Sequence, residues 1–261
     1  MAKKLRNASR TPFRQLSGVG YRLFLQELNK ALQPRSYLEV GSQSGESAAC
    51  FSCETVCVDP QFQLCPAFMK GKSMLHLYQM TSDLFFQGRS VRHFLGGPVD
   101  VCFLDGLHLF EYLLRDFISA EQQCEPESVI LIHDCIAPNA EIAERVWAPE
   151  SRNVQETKDW WAGDVWKLLP VLKEYRPDLR IMIADCPPTG LVICTNLDPR
   201  SEVLSQRYYD ITSKWSGEPF DSFGREELLK LFPVLDSQKV VQDRSLTAYI
   251  APFSVAHFRA S

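Results

Sequence analysis

Two aspartates and two histidines stand at the ends of two short apolar runs. Val-Asp-Val-Cys-Phe-Leu (99–104) leads into Asp105-Gly106-Leu107-His108, and Ser-Val-Ile-Leu-Ile-His (128–133) leads into Asp134-Cys135. Runs of this length and β-branched content read as buried strands. Asp105, His108, His133 and Asp134 would then gather in one cleft at the ends of adjacent strands. Carboxylate plus imidazole suits a divalent cation. It equally suits a general base, because histidine titrates near neutral pH. A lone histidine more often serves packing, and strand alternation can turn His133 inward. Clustering with Asp105 and Asp134 is what singles out His108.

A second constellation precedes these. Tyr37 to Val40 is a short apolar run that ends in Glu39-x-Gly41-x-x-x-Gly45, and Ser47-Ala48-Ala49-Cys50-Phe51 reads as the start of a helix. Strand, glycine-bearing turn and helix N-terminus make a nucleotide-sized site. An acid at the strand end repels a pyrophosphate but suits a cation, so Glu39 would hold an ammonium group directly or through water. The run Thr55-Val56-Cys57-Val58 reads as the next strand, and Asp59 ends it twenty residues after Glu39. An acid at that spacing accepts hydrogen bonds from ribose hydroxyls. After a third run, Met80-Thr81-Ser82-Asp83 follows. Ser82 and Asp83 suit either a helix start or a place beside an adenine amino group.

Strands at 37–41, 54–58, 74–78, 99–104, 128–133, 179–184 and 190–195 would position these residues, with helical patterns at 80–94 and 109–124 between them. This pattern predicts an α/β fold, a doubly wound, mostly parallel seven-stranded sheet covered on both sides. Residues 1–34 form an N-terminal helical arm, with Tyr21, Phe24, Leu25, Leu28 and Leu32 at helical spacing and Phe13 and Leu16 before them. Residues 35–195 form the main domain. Within it, 135–165 breaks the rhythm with Pro138, Trp147, Pro149, Trp160 and Trp161, with Trp166 just beyond. A loop of that length after a ligand-facing strand reads as a lid that orders on binding. Residues 196–261 form a C-terminal appendage with helices at 201–213 and 225–232. The apolar run 246–251 could add a strand.

Composition sets the outer bounds. With 261 residues, 45% hydrophobic and 23% charged, the chain is an ordinary globular one, and its net charge of −4 argues against nucleic acid. Lys3, Lys4, Arg6 and Arg10 form a basic tail with no apolar stretch behind it, so no signal peptide is expected. No run approaches a membrane span, and the expected location is cytoplasmic. Nine cysteines include Cys50, Cys53, Cys57 and Cys65 at C-x2-C-x3-C spacing with one following. They would fall on different elements, so reduced, buried thiols are expected rather than a metal site.

At these motifs the chain resembles class I S-adenosylmethionine-dependent methyltransferases, within the branch of small-molecule O-methyltransferases of the catechol and macrocin type. The resemblance covers about 35–195 and rests on Leu38-Glu39-Val40-Gly41-Ser42-Gln43-Ser44-Gly45-Glu46-Ser47, Val58-Asp59, Phe103-Leu104-Asp105-Gly106-Leu107-His108 and Leu131-Ile132-His133-Asp134. It implies a Rossmann-like methyltransferase fold and S-adenosyl-L-methionine as cofactor. The turn with Gly41, Ser42 and Gly45 would touch the methionine part, Ser47 would bind its carboxylate and Asp59 the ribose. Asp105 and Asp134 would bind Mg²⁺. In catechol-type enzymes a lysine base stands where this chain has His108, and an asparagine ligand stands where it has Cys135. The metal would then be absent, or would be another divalent cation held with help from His133 or His108. The implied reaction is O-methylation of a hydroxyl on a small metabolite or sugar. An NAD-dependent oxidoreductase and a non-catalytic nucleotide-binding subunit are the alternatives, and a homo-oligomer is compatible with either.

Overall fold

Strand β1 (Ser36–Val40) is buried along its whole length, and everything that bears on the site is registered against it. A computed structural model describes residues 16–88, 90–152 and 157–250. Phe13 and the basic residues at 3, 4, 6 and 10 lie outside them. β1 pairs in parallel with β2 (Glu54–Val58) on one side and with β4 (Val101–Leu104) on the other. β3 (Leu75–Tyr78) extends the sheet beyond β2, and β5 (Val129–His133) extends it beyond β4. All five are parallel. The chain moves outward from β1 to β3 and returns to the far side of β1, which opens a crevice at the carboxyl ends between the two directions.

Register explains the site. Val40 is level with Val58 and with Leu104, and Leu104 is level with Ile132. The next residue on each strand is therefore Gly41, Asp59, Asp105 and His133, four positions in a row along one edge. Gly41 has φ +87°, and a side chain there would meet the Asp105 carbonyl oxygen at 2.0 Å. Glycine is required at this position so that the two loops can close over the edge.

β6 (Arg180–Ala184) and β7 (Leu191–Thr195) complete the far side, with β7 antiparallel to both β5 and β6. The sheet has eight strands rather than the expected seven: β8 (Val234–Leu235), from the C-terminal segment, pairs with β6. The strand order is β3-β2-β1-β4-β5-β7-β6-β8.

Helices cover both faces, and side-chain alternation along the strands divides the core in two. Leu38, Val40, Cys102, Leu104, Ile130 and Ile132 pack under α4 (Phe110–Glu121) and α5 (Leu168–Tyr175). Tyr37, Val101, Phe103, Val129 and Leu131 pack under α1 (Tyr21–Leu32), whose Phe24, Leu25, Leu28 and Leu32 supply the apolar stripe. The expected 80–94 helix is two short ones, α2 (Ser82–Gly88) and α3 (Val91–Phe94). The expected helices at 201–213 and 225–232 appear as Val203–Gln206, Tyr208–Trp215 and Gly224–Leu231. No described helix is long and apolar enough to cross a membrane.

Two expectations fail for identifiable reasons. The segment after Gly45 makes no α-helix. Only a 3-10 turn, Ala48–Cys50, fits before β2 begins at Glu54, and Lys72 caps it by donating to the Ala48 (2.7 Å) and Phe51 carbonyl oxygens. The run from 246 is a helix, Leu246–Ile250, rather than a strand; its two buried residues are four apart and belong to the α1 side of the core. The nine cysteines are all free. Among the described residues they form no metal cluster, and burial pushes the Cys50 thiol up to about 11 and that of Cys53 to about 12.

Candidate functional site

A cavity of about 490 Å³ lies against the carboxyl edge of β1, β2, β4 and β5. Asp59, Thr81, Ser82 and Asp83 line it at the β2–β3 end, and Asp105, His108, His133, Asp134 and Trp161 line it at the β4–β5 end. Gly41 and Gln43 lie between.

Asp59 is fixed by backbone. The Gln43 N–H donates to one carboxylate oxygen at 2.8 Å and the Gln61 N–H to the other at 2.7 Å. Each oxygen carries two lone pairs, so each retains an acceptor site for a ligand hydroxyl. Asp83 is less available. Arg115 donates to both of its oxygens, each at 2.7 Å. Ser82 hydrogen-bonds Asp116, a buried acid on α4 whose pKa burial pushes up to about 7.

Glu39, Ser42, Gly45 and Ser47 do not line the cavity. Glu39 shares the α1-facing side of β1 with Tyr37 and is fully buried. Tyr37 donates to one carboxylate oxygen at 2.5 Å and Ser47 to the other at 2.8 Å. Burial raises its pKa to about 7, against those two hydrogen bonds, with the nearby Asp105 charge adding to the rise. Glu39 therefore braces the turn from behind and does not line the cavity that its place at the strand end suggested. Ser47 is likewise committed to Glu39. Gly45 packs against the Phe68 ring, where a side chain would meet ring carbon at 2.3 Å.

The four residues at the other end come together. His108 Nε2 lies 3.3 Å from Asp105 Oδ1 and 3.2 Å from Asp134 Oδ2, while its Nδ1 lies 2.7 Å from the Trp161 carbonyl oxygen. His133 Nδ1 lies 3.3 Å from both Asp105 Oδ1 and Asp134 Oδ1. Its Nε2 is buried with no hydrogen-bond partner among the described residues, and the Tyr21 ring of α1 covers the imidazole at 4.3 Å between centroids. Asp134 adopts φ +63° and accepts a 2.6 Å hydrogen bond from the Thr189 hydroxyl.

Burial alone would lower the pKa of His108, but the Asp134 charge and the Asp105 hydrogen bond outweigh it and raise the value to about 9. The same carboxylates, again against burial, hold His133 well above its ordinary value. Burial would raise Asp105 and Asp134, yet the two imidazoles hold both below the ordinary carboxylate range. The two carboxylates and the two imidazoles thus each favour the partner's charged form, and His108 is held above the near-neutral range of an ordinary histidine.

Among the described residues, Asp105, His108 and Asp134 each offer a ligand atom within 4.8 Å of the others. His133 is not one of the three. Cys135 stands apart, with its buried thiol directed at the Val165 carbonyl oxygen at 3.7 Å. Mg²⁺ prefers an all-oxygen shell. Two carboxylates with an imidazole suit a first-row transition metal better.

Residues 142–145 and 160–167 pack onto this end. Gly163 has φ +61°, and a side chain there would overlap the His108 carbonyl oxygen. The next residue, Asp164, is nearly buried and holds three donors: the Phe110 N–H at the start of α4 (2.8 Å), Arg145 (2.6 Å) and Lys167 (2.9 Å). Arg145 also reaches Glu111 at 2.7 Å. Trp160 and Trp161 border a second, smaller hollow with Asp134. Trp166, by contrast, is core, and Trp147 is exposed. Arg115, Asp116, Arg145, Asp164 and Thr189 had no signal in the sequence, since each acts through a partner distant in the chain. Gly163 had one, a glycine inside the tryptophan-rich loop.

Residues 38–135 match the family model described as a methyltransferase domain. The chain resembles a methyltransferase of Podospora anserina solved with S-adenosylhomocysteine, at 14% identity over 68% of this chain and 78% of that one, with a TM-score of 0.47. It also resembles an O-methyltransferase of Bacillus cereus in complex with the same product (13%, 67% and 80%, 0.44). A third likeness is to the O-methyltransferase TomG of Streptomyces achromogenes, involved in tomaymycin synthesis and solved with S-adenosylmethionine (13%, 68% and 80%, 0.41). No curated protein matches the sequence.

Proposed function

We propose that this chain, which carries a methyltransferase domain of the class I, S-adenosylmethionine-dependent kind, methylates a hydroxyl oxygen on a small acceptor. The observation that carries the proposal is the shared cavity: Asp59 rims one end and the Asp105–His108–Asp134 group rims the other. The cofactor, when bound, supplies an electrophilic methyl carbon on a sulfonium. Asp59 would accept from ribose hydroxyls, with Ser82 and Asp83 beyond it on the adenine side. The turn at Gly41, Ser42 and Gly45 would shape the middle of the site, with Glu39 and Ser47 holding it from behind.

At the acceptor end, proton removal falls to His108. Its Nδ1 is tied to the Trp161 carbonyl, which fixes the ring with Nε2 toward the two aspartates. Neutral imidazole is the competent form, so transfer would strengthen as the pH rises toward 9. Asp105, His108 and Asp134, with His133 adjacent, are also the residues that would hold a divalent cation. Bound there, it would supply positive charge that lowers the pKa of an acceptor hydroxyl. The catalytic unit would be 35–195, with 135–165 as lid and, among the described residues, the arm (16–34) and the appendage (196–250) packing against it. Nine free thiols agree with a reducing, cytoplasmic setting.

Calorimetry with S-adenosylhomocysteine tests the reading. Binding in wild type that weakens in Asp59→Ala is expected. No binding at millimolar concentration would remove it.

A further inference from the structure

Helix α4 meets the β2–β3 end of the cavity with three residues at helical i, i+3 and i+4 spacing: Tyr112, Arg115 and Asp116. Tyr112 lines the cavity together with Ser82 and Asp83. Asp116 takes the Ser82 hydroxyl. Arg115 makes most of the remaining bonds. Its Nε and one terminal nitrogen each donate to a separate oxygen of Asp83, both at 2.7 Å. The other terminal nitrogen donates to the Glu111 carbonyl oxygen at 3.2 Å and to the Tyr208 hydroxyl. Four of the five N–H groups of the guanidinium are thus assigned. Its carbon lies over the Tyr112 ring, 4.3 Å from the centroid.

Tyr208 belongs to the C-terminal segment, 93 residues beyond Arg115. It opens the helix Tyr208–Trp215, and its own proton goes to the Glu111 carbonyl oxygen at 3.3 Å. The phenol oxygen is therefore bonded on both sides, which fixes the end of the guanidinium that points away from Asp83. A groove of about 450 Å³ runs along this contact, lined by Phe86, Arg115, Ile118, Tyr208 and Tyr209, and it shares Asp83 with the main cavity. Asp83 is thus a partition between cavity and groove, and the direction of its carboxylate decides which of the two it serves. A bidentate guanidinium fork sets that direction, because two parallel bonds fix the plane of the carboxylate. Each oxygen keeps a second acceptor site for a ligand N–H.

We propose that Arg115, backed by Tyr208 of the C-terminal segment, is a positioning residue for the cofactor: it sets the Asp83 carboxylate to accept from the exocyclic amino group of the adenine. The segment after 196 is then part of the cofactor site and not an attachment to it. The proposal rests on the methyltransferase reading above, with adenine at this end of the cavity. A plain fastening of α2 to α4 by the same ion pair has a different consequence. It would hold the fold and serve every ligand of the cavity alike. A positioning role acts on the amino group alone, because a carboxylate held in place rejects an analogue that presents a carbonyl there.

The test is calorimetry on full-length protein with S-adenosylhomocysteine and with S-inosylhomocysteine, its deaminated analogue. Wild type should prefer the adenosyl compound by roughly tenfold or more, the worth of a hydrogen bond to a charged acceptor. Arg115→Met should bring the two within about threefold, chiefly by weakening the adenosyl compound. Arg115→Lys, which keeps the charge without the fork, should recover part of the preference. Tyr208→Phe should reduce it by about threefold, with an unchanged unfolding temperature. Tyr209→Phe, on the exposed neighbouring ring, should leave it as in wild type. If Arg115→Met does not fold, Arg115→Lys and Tyr208→Phe carry the test. A preference that survives these substitutions overturns the inference, and so does equal weakening of both compounds, which assigns the ion pair to fastening. A wild type that binds both compounds equally overturns it too, and leaves the methyltransferase reading standing. Failure of wild type to bind S-adenosylhomocysteine removes both.

Discussion

Glu39 offers the sharpest test of how this site is built. Its carboxylate is fully buried, is held by the Tyr37 and Ser47 hydroxyls, and is shifted from an ordinary 4.5 to about 7. A folded-state pKa raised above the unfolded one means that the unfolded chain releases this proton more readily. The group therefore costs nothing below pH 4.5, and its cost grows as the pH rises from there to 7 and then levels off. The full shift is about 2.5 units, or about 3 kcal/mol at 1.36 kcal/mol per unit. Glu39→Gln removes the ionisation, and an amide still offers an oxygen to one hydroxyl and an N–H to the other. Urea unfolding of both proteins at pH 5 and pH 8 isolates the effect. Wild type should lose about 2–3 kcal/mol relative to the variant between the two pH values, because part of the cost is already present at pH 5. Asp116 shifts in the same direction, but it is common to both proteins and cancels in the difference. Parallel pH dependence in the two proteins would refute the reasoning and return Glu39 to a solvated, ligand-facing place. Because Glu39 does not line the cavity, S-adenosylhomocysteine affinity should change far less than stability.

The remaining predictions concern the cavity and its cover. Asp59→Ala should weaken cofactor binding by about 1–3 kcal/mol, read by calorimetry, because ribose hydroxyls lose a charged acceptor. In chelator-treated enzyme, methyl transfer should rise with pH and level off near 9, the value its two aspartates give His108. His108→Ala should abolish that limb and cut turnover by roughly 10²–10⁴-fold, with S-adenosylhomocysteine affinity intact. A limb near 6.5 would instead mean that the carboxylates do not hold the imidazolium. If the cluster takes a cation, Mn²⁺ should bind more tightly than Mg²⁺ in direct titration, and Asp134→Asn should remove the difference. In ligand-free protein, the Ala162 and Gly163 amides should resist hydrogen exchange through their bonds to the Ile142 carbonyl. Asp164→Ala should release them, since it strands a buried lysine and leaves the Phe110 amide unpaired.

Much of the sheet was legible because its inner strands are largely apolar runs buried on both faces. Each expected strand lies within two residues of an observed one. β8 was not legible: Val234–Leu235 is too short for any periodicity. The helix expected after Gly45 misled because Ser-Ala-Ala has the right residue types, while the span to Glu54 has no room for one. Strand-end reasoning placed Asp59, Asp105, His108, His133 and Asp134 on one cavity. It misplaced Glu39 because alternation, not proximity to the turn, decides which face a strand residue serves. The states of the histidines lay beyond the sequence as well. Their charge depends on two carboxylates from different strands converging within hydrogen-bond distance, and no spacing along one segment encodes that.

The tryptophan-rich segment matters for the same reason. Read as a loop, it is a cover that could swing freely. In the fold its second half is built into the acceptor end. The Trp161 carbonyl holds His108 Nδ1, Gly163 packs directly against the His108 backbone, and Asp164 holds the N–H of Phe110, two residues further on. Two of these contacts hold the ring and the backbone of His108, and the third holds the chain just after it. Any motion that swings 161–164 away would also release His108 from its orientation toward Asp105 and Asp134. Access beside Trp160 and the orientation of His108 are therefore mechanically linked.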